Sequence, residues 1–349
     1  MIAVLFGTFN SRHAANALLV EDLRRTGAEV RFCHEPLWEE TRDKLAPYFA
    51  PRGLLALLGR WIRLMARLAL RFRPAAAGAD VVVAGFNGQL DVLVARALAR
   101  GRRILFAPLV TITETLVDDR AQYAAGSWAA RLFGWIDRAS LRSADVILAD
   151  TSAHRDYLAR RLGVPSGRVV VQYLGAESQF APGEGRSVES SVRLRVLGYG
   201  TYLPLHGAAV VAEAARLLDP AEGIVLELIG SGPDREASDR IVRGLPHVRT
   251  LDWVPYEELP QRIRDADVVL GIFGASAKAQ MVVPNKIYQA AQVGRAIVTA
   301  DTAAIREVFA ADESIVLVAP EPGALVAALR ALASDPERRE RLGEAARAA

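Results

Sequence analysis

Twelve short apolar runs, most of them separated by stretches of helical periodicity, limit what this chain can become. Six lie in the first half, at residues 2–6, 29–33, 80–84, 103–106, 145–149 and 169–173. Six lie in the second, at 194–197, 225–229, 248–251, 268–273, 296–299 and 314–318. Short apolar runs that alternate with helical segments belong to parallel strands buried on both faces. Amphipathic segments such as 14–25 and 90–100 supply the cover. The pattern predicts an α/β protein of two Rossmann-like domains, their parallel sheets facing a central cleft. A chain of 349 residues is long enough for two such cores. Residues 181–192, rich in Pro, Gly, Ser and charge, show no periodicity and read as a connection. The predicted organisation is an N-terminal domain over 1–182, a linker over 183–192, a C-terminal domain over 193–334, and a charged surface helix over 335–349.

Composition narrows the class. Hydrophobic residues make up 51% and charged residues 24% of the chain, which rules out disorder. The single Cys33 cannot close an internal disulfide, and no Cys/His spacing suits zinc, so a reducing cytoplasm fits. Met1 runs straight into the first predicted strand without a basic n-region, and no uncharged apolar run reaches about 18 residues. The expected location is cytoplasmic, with room for peripheral attachment to the inner face of a membrane.

The net charge of +3 hides an asymmetry: residues 1–180 hold 24 basic and 17 acidic side chains. From Lys44 to Ala79 there are Lys44 and six Arg, and no acid. Within that stretch residues 52–73 form the strongest amphipathic helix of the chain. Arg60, Arg63, Arg67 and Arg71 follow 3–4 spacing on one face, and Leu57, Leu58, Trp61, Leu64, Met65 and Leu68 fill the rest. Two readings are open: a helix in an anionic membrane interface with Trp61 among its anchors, or a helix packed on the sheet with its Arg side chains snorkelling. Nucleic acid is not expected, because the basic residues back onto one apolar helix with little aromatic interleaving.

The stretch 271–309 concentrates the chemistry. A buried run breaks at Gly274 into a small-residue loop, Pro284 opens a helix that stops at Gly294, and another strand follows. Loops at the carboxyl ends of parallel strands, leading into helix N-termini, are where such sheets hold anions. This loop carries Lys278 and Lys286, two of only three Lys in the chain. Where Arg is so favoured, two Lys in one loop suggest a task for a compact ammonium; a chance pair of solvated side chains is the bland alternative. Upstream, Gly198 and Gly200 bracket a strand end before Thr201, His206 and Gly207. The motif LIGSGP carries Gly230 and Gly232, whose N–H groups suit a phosphate. His206 taken alone suits capping or packing equally well.

Taken in order, G-x-G before His206-Gly207, then LIGSGP, V-P-x-x-E-L from Val254, and P-N-K-x-Y-Q-A before G-x-A-I-V-T resemble the donor half of a GT-B glycosyltransferase of the family 4 type. The resemblance spans about residues 194–335. It implies that a nucleotide-sugar is held mainly by the C-terminal domain, that transfer retains anomeric configuration, and that neither a cofactor nor a metal is needed. Gly200 and Thr201 then fall on the phosphate-side loop, His206 where many members carry Lys, residues 229–232 along the nucleotide, and Val254 toward the base. Asn285 belongs to the same nucleotide-binding stretch. The family commonly has two Glu eight apart in this region; here those positions are Met281 and Gln289. Gln289 can still pair with ribose hydroxyls, whereas Met281 cannot contact a sugar as a carboxylate would. Lys286, helped by Lys278 and His206, is expected to neutralise the leaving diphosphate. The one D-x-D, Asp265-Ala266-Asp267, sits at a helix-to-strand junction and reads as structural.

On the acceptor side Glu114, Asp118 and Asp119 follow a strand end, beside Arg120. One carboxylate could take the proton of an acceptor hydroxyl; a capped, solvated helix start is the alternative. Asp150 and His154 end the next strand, and Asn10, Arg12 and His13 occupy the first loop. Spacing does not choose among them. The expected function is glycosyl transfer from a nucleotide-diphosphate sugar to a saccharide or lipid-linked acceptor, the latter at an anionic membrane surface reached through residues 52–73. A GT-B sugar-nucleotide epimerase and a non-catalytic sugar-nucleotide-binding protein are the rivals, the second motivated by Met281 and Gln289.

Overall fold

The computed structural model describes residues 1–11, 13–37, 51–184 and 192–349. Arg12, Lys44 and most of the expected linker lie outside the described residues. The chain divides into two units, Met1–Leu174 and Gly175–Ala349, each built on a six-stranded sheet.

The first unit runs β1 (Ile2–Gly7), α1 (Ala14–Arg25), β2 (Glu29–His34), α2 (Pro51–Ala75), β3 (Val81–Ala84), α3 (Asp91–Leu98), β4 (Arg103–Phe106), a π-helical turn (Glu114–Asp119), α4 (Trp128–Ser143), β5 (Val146–Ala149), α5 (Ser152–Leu162) and β6 (Val169–Val171). The sheet order is β2-β1-β3-β4-β5-β6, and its pairings are parallel. Side chains alternate across a strand, so one face of this sheet presents Val4, Phe6, Val82 and Ile104 to Leu68 and Phe72 of α2, Val92 of α3 and Leu141 of α4. The other presents Ala3, Leu5 and Val83 to Leu19 of α1. Burial on both sides is why these strands show no polar alternation in the sequence.

The second unit runs β7 (Leu194–Tyr199), α6 (Ala208–Leu217), β8 (Ile224–Ile229), α7 (Arg235–Val242), β9 (Val248–Leu251), α8 (Leu259–Asp265), β10 (Val268–Leu270), α9 (Asn285–Val293), β11 (Ala296–Ala300), α10 (Ala303–Arg306), β12 (Val316–Val318), α11 (Pro322–Ser334) and α12 (Pro336–Ala348). Its sheet is again parallel, in the order β12-β11-β10-β7-β8-β9. Three local expectations need adjustment. The apolar run after Leu270 leaves the sheet because Phe273 and Gly274 give their N–H groups to His206 and Leu205. Pro284 is the extended N-cap of α9 rather than its first helical residue. The C-terminal helix is not purely a surface element: Leu342, Gly343 and Ala346 are buried, and α12 packs on α9 and β11.

Both sheets contain a point where successive strands begin to march in the opposite direction, between β1 and β3 in the first unit and between β7 and β10 in the second. Such switch points open crevices at the carboxyl ends of the strands, and ligands of α/β sheets bind there. The two crevices are furnished differently.

Candidate functional site

In the first unit the crevice is filled by the protein's own side chains. Asp91 accepts hydrogen bonds from the Thr8 N–H (2.6 Å) and hydroxyl (3.0 Å) and from the Trp61 indole (2.7 Å). Burial pushes its carboxyl pKa up, although those donors favour the charged form. Asn16 takes the Phe86 N–H at 2.8 Å and donates to the Asn10 carbonyl at 2.8 Å. The loops after β1 and β3 are thereby tied to the sheet.

In the second unit the crevice is open and cationic. A small cavity of about 40 Å³ is lined by Tyr199, Gly200, His206, Leu270, Gly271 and Lys286, among others. Gly200 has φ +150°, and a Cβ there would lie 2.7 Å from His206 Cε1 and 3.3 Å from Lys286 Nζ. Backbone, imidazole and ammonium therefore converge on one spot that only glycine leaves accessible. Lys286 is 8% exposed; its ammonium donates to the Gly271 carbonyl at 3.2 Å and lies 5.8 Å from the centre of the Tyr199 ring. Burial holds its pKa down at about 7. Burial, and then the neighbouring Lys286, also keep His206 well below the usual histidine range. His206 thus offers a neutral ring rather than a second positive charge.

The next strand end closes over this spot. Gly230 has φ +125°, and a Cβ there would collide with the Gly200 carbonyl, so the two glycine turns are stacked backbone on backbone. Gly232 lies equally close to the carbonyl of Thr201. Arg235, almost buried, donates to the carbonyls of Gly230 and Leu251 (3.0 Å to the latter) and pairs with Asp239 at 2.7 Å. It pins the LIGSGP turn to the end of β9. There the Trp253 indole donates to Ser231 Oγ at 2.6 Å, next to half-buried Val254. Lys278 is 9% exposed, and its carbonyl accepts the Met281 N–H at 2.9 Å. Both expected lysines are therefore held against the second unit rather than projecting into solvent. Asn285 opens α9, half-buried, just before Lys286.

Gln289, one turn beyond Lys286, is committed within the protein. Its carbonyl accepts from the Tyr199 hydroxyl at 2.9 Å, and its amide donates to the Tyr256 hydroxyl at 2.9 Å. Glu177 accepts from Tyr256 at 2.6 Å and reaches the same amide at 3.4 Å. Tyr199, Tyr256 and Glu177 were not among the sequence candidates; they stand 90, 33 and 112 residues from Gln289, beyond any local pattern. Met281 is buried in the apolar core. Asp267 accepts the Arg195 N–H at 2.7 Å, and among the described residues no group of three or more His, Cys, Asp or Glu is arranged to hold a metal ion.

The acceptor-side candidates form a buried brace. His154 Nδ1 lies 2.8 Å from Asp150 and Nε2 lies 3.4 Å from Glu114, with Glu114 and His154 fully sealed from solvent. Burial alone would favour a neutral ring, yet the two carboxylates overrule it and raise the His154 pKa to about 10. Thr151 caps α5 through the His154 N–H. Asp118 accepts from the Tyr157 hydroxyl at 2.6 Å and pairs with Arg161 at 3.4 Å, keeping 24% of its side chain exposed. Both oxygens of Asp119 are shielded from water without a hydrogen-bond partner. In the first loop His13 caps α1 by accepting the Ala15 N–H, and its ring packs on Phe86.

Helix α2 answers both of its readings in part. Met65, Leu68 and Phe72 are buried on the sheet and Leu64 against Leu37, and Trp61 is turned inward to Asp91, so Trp61 is not the interfacial anchor expected of it. The opposite side exposes Leu55, Leu58, Ile62 and Leu70 among the arginines. Among the described residues no helix is long and apolar enough to cross a membrane.

Two family models match the chain: one described as a glycosyl transferase 4-like domain over residues 13–175, the other as glycosyl transferase-like over residues 210–349. No curated protein sequence is matched. Among solved structures, sucrose-phosphate synthase from Thermosynechococcus elongatus superposes with a TM-score of 0.70 at 16% identity, covering 99% of this chain and 93% of that one. Alr3699/HepE from Anabaena, in complex with UDP-glucose, gives 0.67 at 17% identity with 99% and 93% coverage. The catalytic domain of starch synthase IV from Arabidopsis thaliana, bound to ADP and acarbose, gives 0.67 at 12% with 100% and 95% coverage. Such distant likenesses establish the architecture, and the family models add the class. Two parallel six-stranded units, matched over both halves in this way, make the chain a GT-B glycosyltransferase resembling family 4.

Proposed function

We propose that the protein moves a sugar from a nucleoside-diphosphate donor to an acceptor hydroxyl with retention, the acceptor being a saccharide or lipid-linked saccharide at an anionic membrane surface. The observation that carries this reading is the contrast between the two switch points. One is plugged by Asn16 and Asp91; the other holds a cavity lined by the Gly198 and Gly200 turn, His206 and the Lys286 ammonium. Complexes of related folds with UDP-glucose and with ADP support the same donor class.

In this reading the diphosphate lies against the N–H groups of Thr201 and Gly232, since those of Gly200 and Gly230 are given to the Ile229 and Leu251 carbonyls at 3.0 and 2.9 Å. Lys286, with Lys278, balances the charge that grows on it as the bond to the anomeric carbon breaks. His206 contributes a neutral N–H. A new bond forms from the acceptor oxygen to the same carbon, and the acceptor proton passes to a base. Asp118 is the best placed of the candidates, since Glu114 and His154 are sealed and the oxygens of Asp119 are shielded. The nucleobase lies toward Val254, and no metal is invoked. Gln289 orients Tyr256 and Glu177 around the ribose as well as reaching it. Helix α2 faces the membrane with its exposed leucines and arginines.

Met281 and the committed amide of Gln289 favour one rival, a sugar-nucleotide-binding protein without turnover. Calorimetric titration with UDP, ADP and GDP, followed by measurement of slow donor hydrolysis, separates the two. Transfer predicts binding of one diphosphate and measurable hydrolysis. Lys286→Ala should then lower turnover by well over about tenfold; turnover close to wild type in that variant removes the role given to Lys286, and tight binding with no turnover supports the rival.

A further inference from the structure

Helix α4 carries a stripe that neither its core packing nor the site absorbs. Trp128 is 78% exposed, Leu132 43% and Trp135 63%. Positions i, i+4 and i+7 share one helical face, so the three side chains form a ridge rather than a scatter. Large apolar residues exposed together in this way mark an interaction surface. On its inner side the same helix is firmly seated: Leu141 joins the core and Asp137 is buried, accepting the Ile112 and Thr113 N–H groups at 3.0 and 2.8 Å.

The ridge has a neighbour of the same character. Helices α2 and α4 flank α3 and feed one core on one face of the first sheet. Their outer sides therefore both turn away from that face. The outer side of α2 shows Ile62, Leu70, Arg63 and Arg67, and that of α4 adds Arg131 and Arg142 to its indoles. No acid occurs in α2, and the single acid of α4 is the buried Asp137. Cations and protruding apolar side chains without carboxylates are complementary to anionic headgroups above an acyl layer. Indoles suit that boundary because each has an apolar body and one polar N–H. A second copy of the chain fits poorly, since a two-fold contact would set arginine against arginine.

We infer that the Trp128–Leu132–Trp135 ridge of α4 inserts into an anionic lipid surface beside α2, giving the first unit two membrane contacts instead of one. The inference rests on the membrane-held acceptor proposed above. Geometry links it to the site. Helix α4 ends at Ser143, and β5 begins at Val146. Its N-terminal turn, with Trp128, thus lies toward the carboxyl ends of the strands, where the loop bearing Asp118 emerges. A surface bound there would deliver a lipid-linked acceptor to the end of the unit that needs it.

Co-sedimentation of the full chain with phosphatidylglycerol/phosphatidylcholine vesicles, and with phosphatidylcholine alone, tests this at low and high salt. Wild-type protein should bind the anionic vesicles, and more weakly as salt screens the arginines. Trp128→Ser/Trp135→Ser, which alters only exposed side chains and should leave the circular dichroism and thermal midpoint unchanged, should weaken binding by about tenfold or more. Trp128→Phe/Trp135→Phe should recover part of it. Binding unaltered in the serine variant but weakened in Arg63→Gln/Arg67→Gln overturns the ridge while leaving the α2 reading standing. No vesicle binding by wild type, with UDP still titrating, ends both membrane assignments and spares glycosyl transfer. Self-association that the serine variant abolishes shows that the ridge docks a second copy and also overturns the inference.

Discussion

Lys286 places an ammonium where burial penalises one. With its pKa held at about 7 by burial, against about 10.4 in an unfolded chain, the folded protein binds fewer protons than the unfolded chain between those limits. Stability from this group therefore rises with pH across that window, and below about pH 7 its full penalty is present. Lys286→Met should make the ligand-free protein more stable at pH 6, provided relief of the buried charge exceeds the roughly 1–3 kcal/mol cost of leaving the Gly271 carbonyl without its donor. The same variant should lose the rise in thermal midpoint that UDP or ADP confers. In wild type, nucleotide binding should weaken from pH 7 to 9 and take up a proton, measurable by calorimetry in buffers of different ionisation enthalpy. A Lys286→Met protein that is less stable at pH 6 yet still stabilised by nucleotide would sink this account. The rarity of lysine in so arginine-rich a chain made this residue legible; its partial discharge was not, because burial depends on how α9 meets the ends of β7 and β10.

At the scale of elements, the brace joining the π-helical turn to α5 shows what sequence patterns lose. The strands were readable because parallel strands buried on two faces must be apolar runs, and the glycine turns because backbone must approach backbone at Gly200 and Gly230. Glu114 and His154, by contrast, are forty residues apart and meet only because β4 and β5 are neighbours. Likewise the Trp128 ridge is invisible until the fold shows which side of α4 is covered. The brace makes its own prediction. A histidine whose pKa is raised from 6.5 to about 10 contributes stability that is complete below pH 6.5 and is lost as pH climbs to 10. His154→Gln leaves Glu114 facing Asp150 with no cation between, and should cost about 3–5 kcal/mol at pH 6. The deficit relative to wild type, read from urea denaturation, should shrink by pH 9.5; taking the difference cancels the opposite trend of Lys286. A deficit independent of pH would mean that the ring is neutral in the fold.

For the whole molecule, a parallel six-stranded sheet occurs twice with different strand orders, and the two switch points are furnished differently. In the first unit Asn16 and Asp91 supply, from within, hydrogen bonds that a ligand would otherwise make. In the second, the Gly200 backbone comes close to His206 and Lys286 at the edge of the cavity. A second parallel sheet thus does not bring a second site of the same kind with it. Hydrogen exchange tests the asymmetry directly. Saturating UDP or ADP, whichever titrates, should slow amide exchange in residues 198–212, 229–235 and 271–289, because ligand bound to the native state suppresses local opening there. Residues 7–11, 13–16 and 85–92, already tied by Asn16 and Asp91, should exchange at unchanged rates. Protection appearing in those two loops, with none around Gly200 and Lys286, would assign the nucleotide to the first unit and require Lys286 to have another purpose.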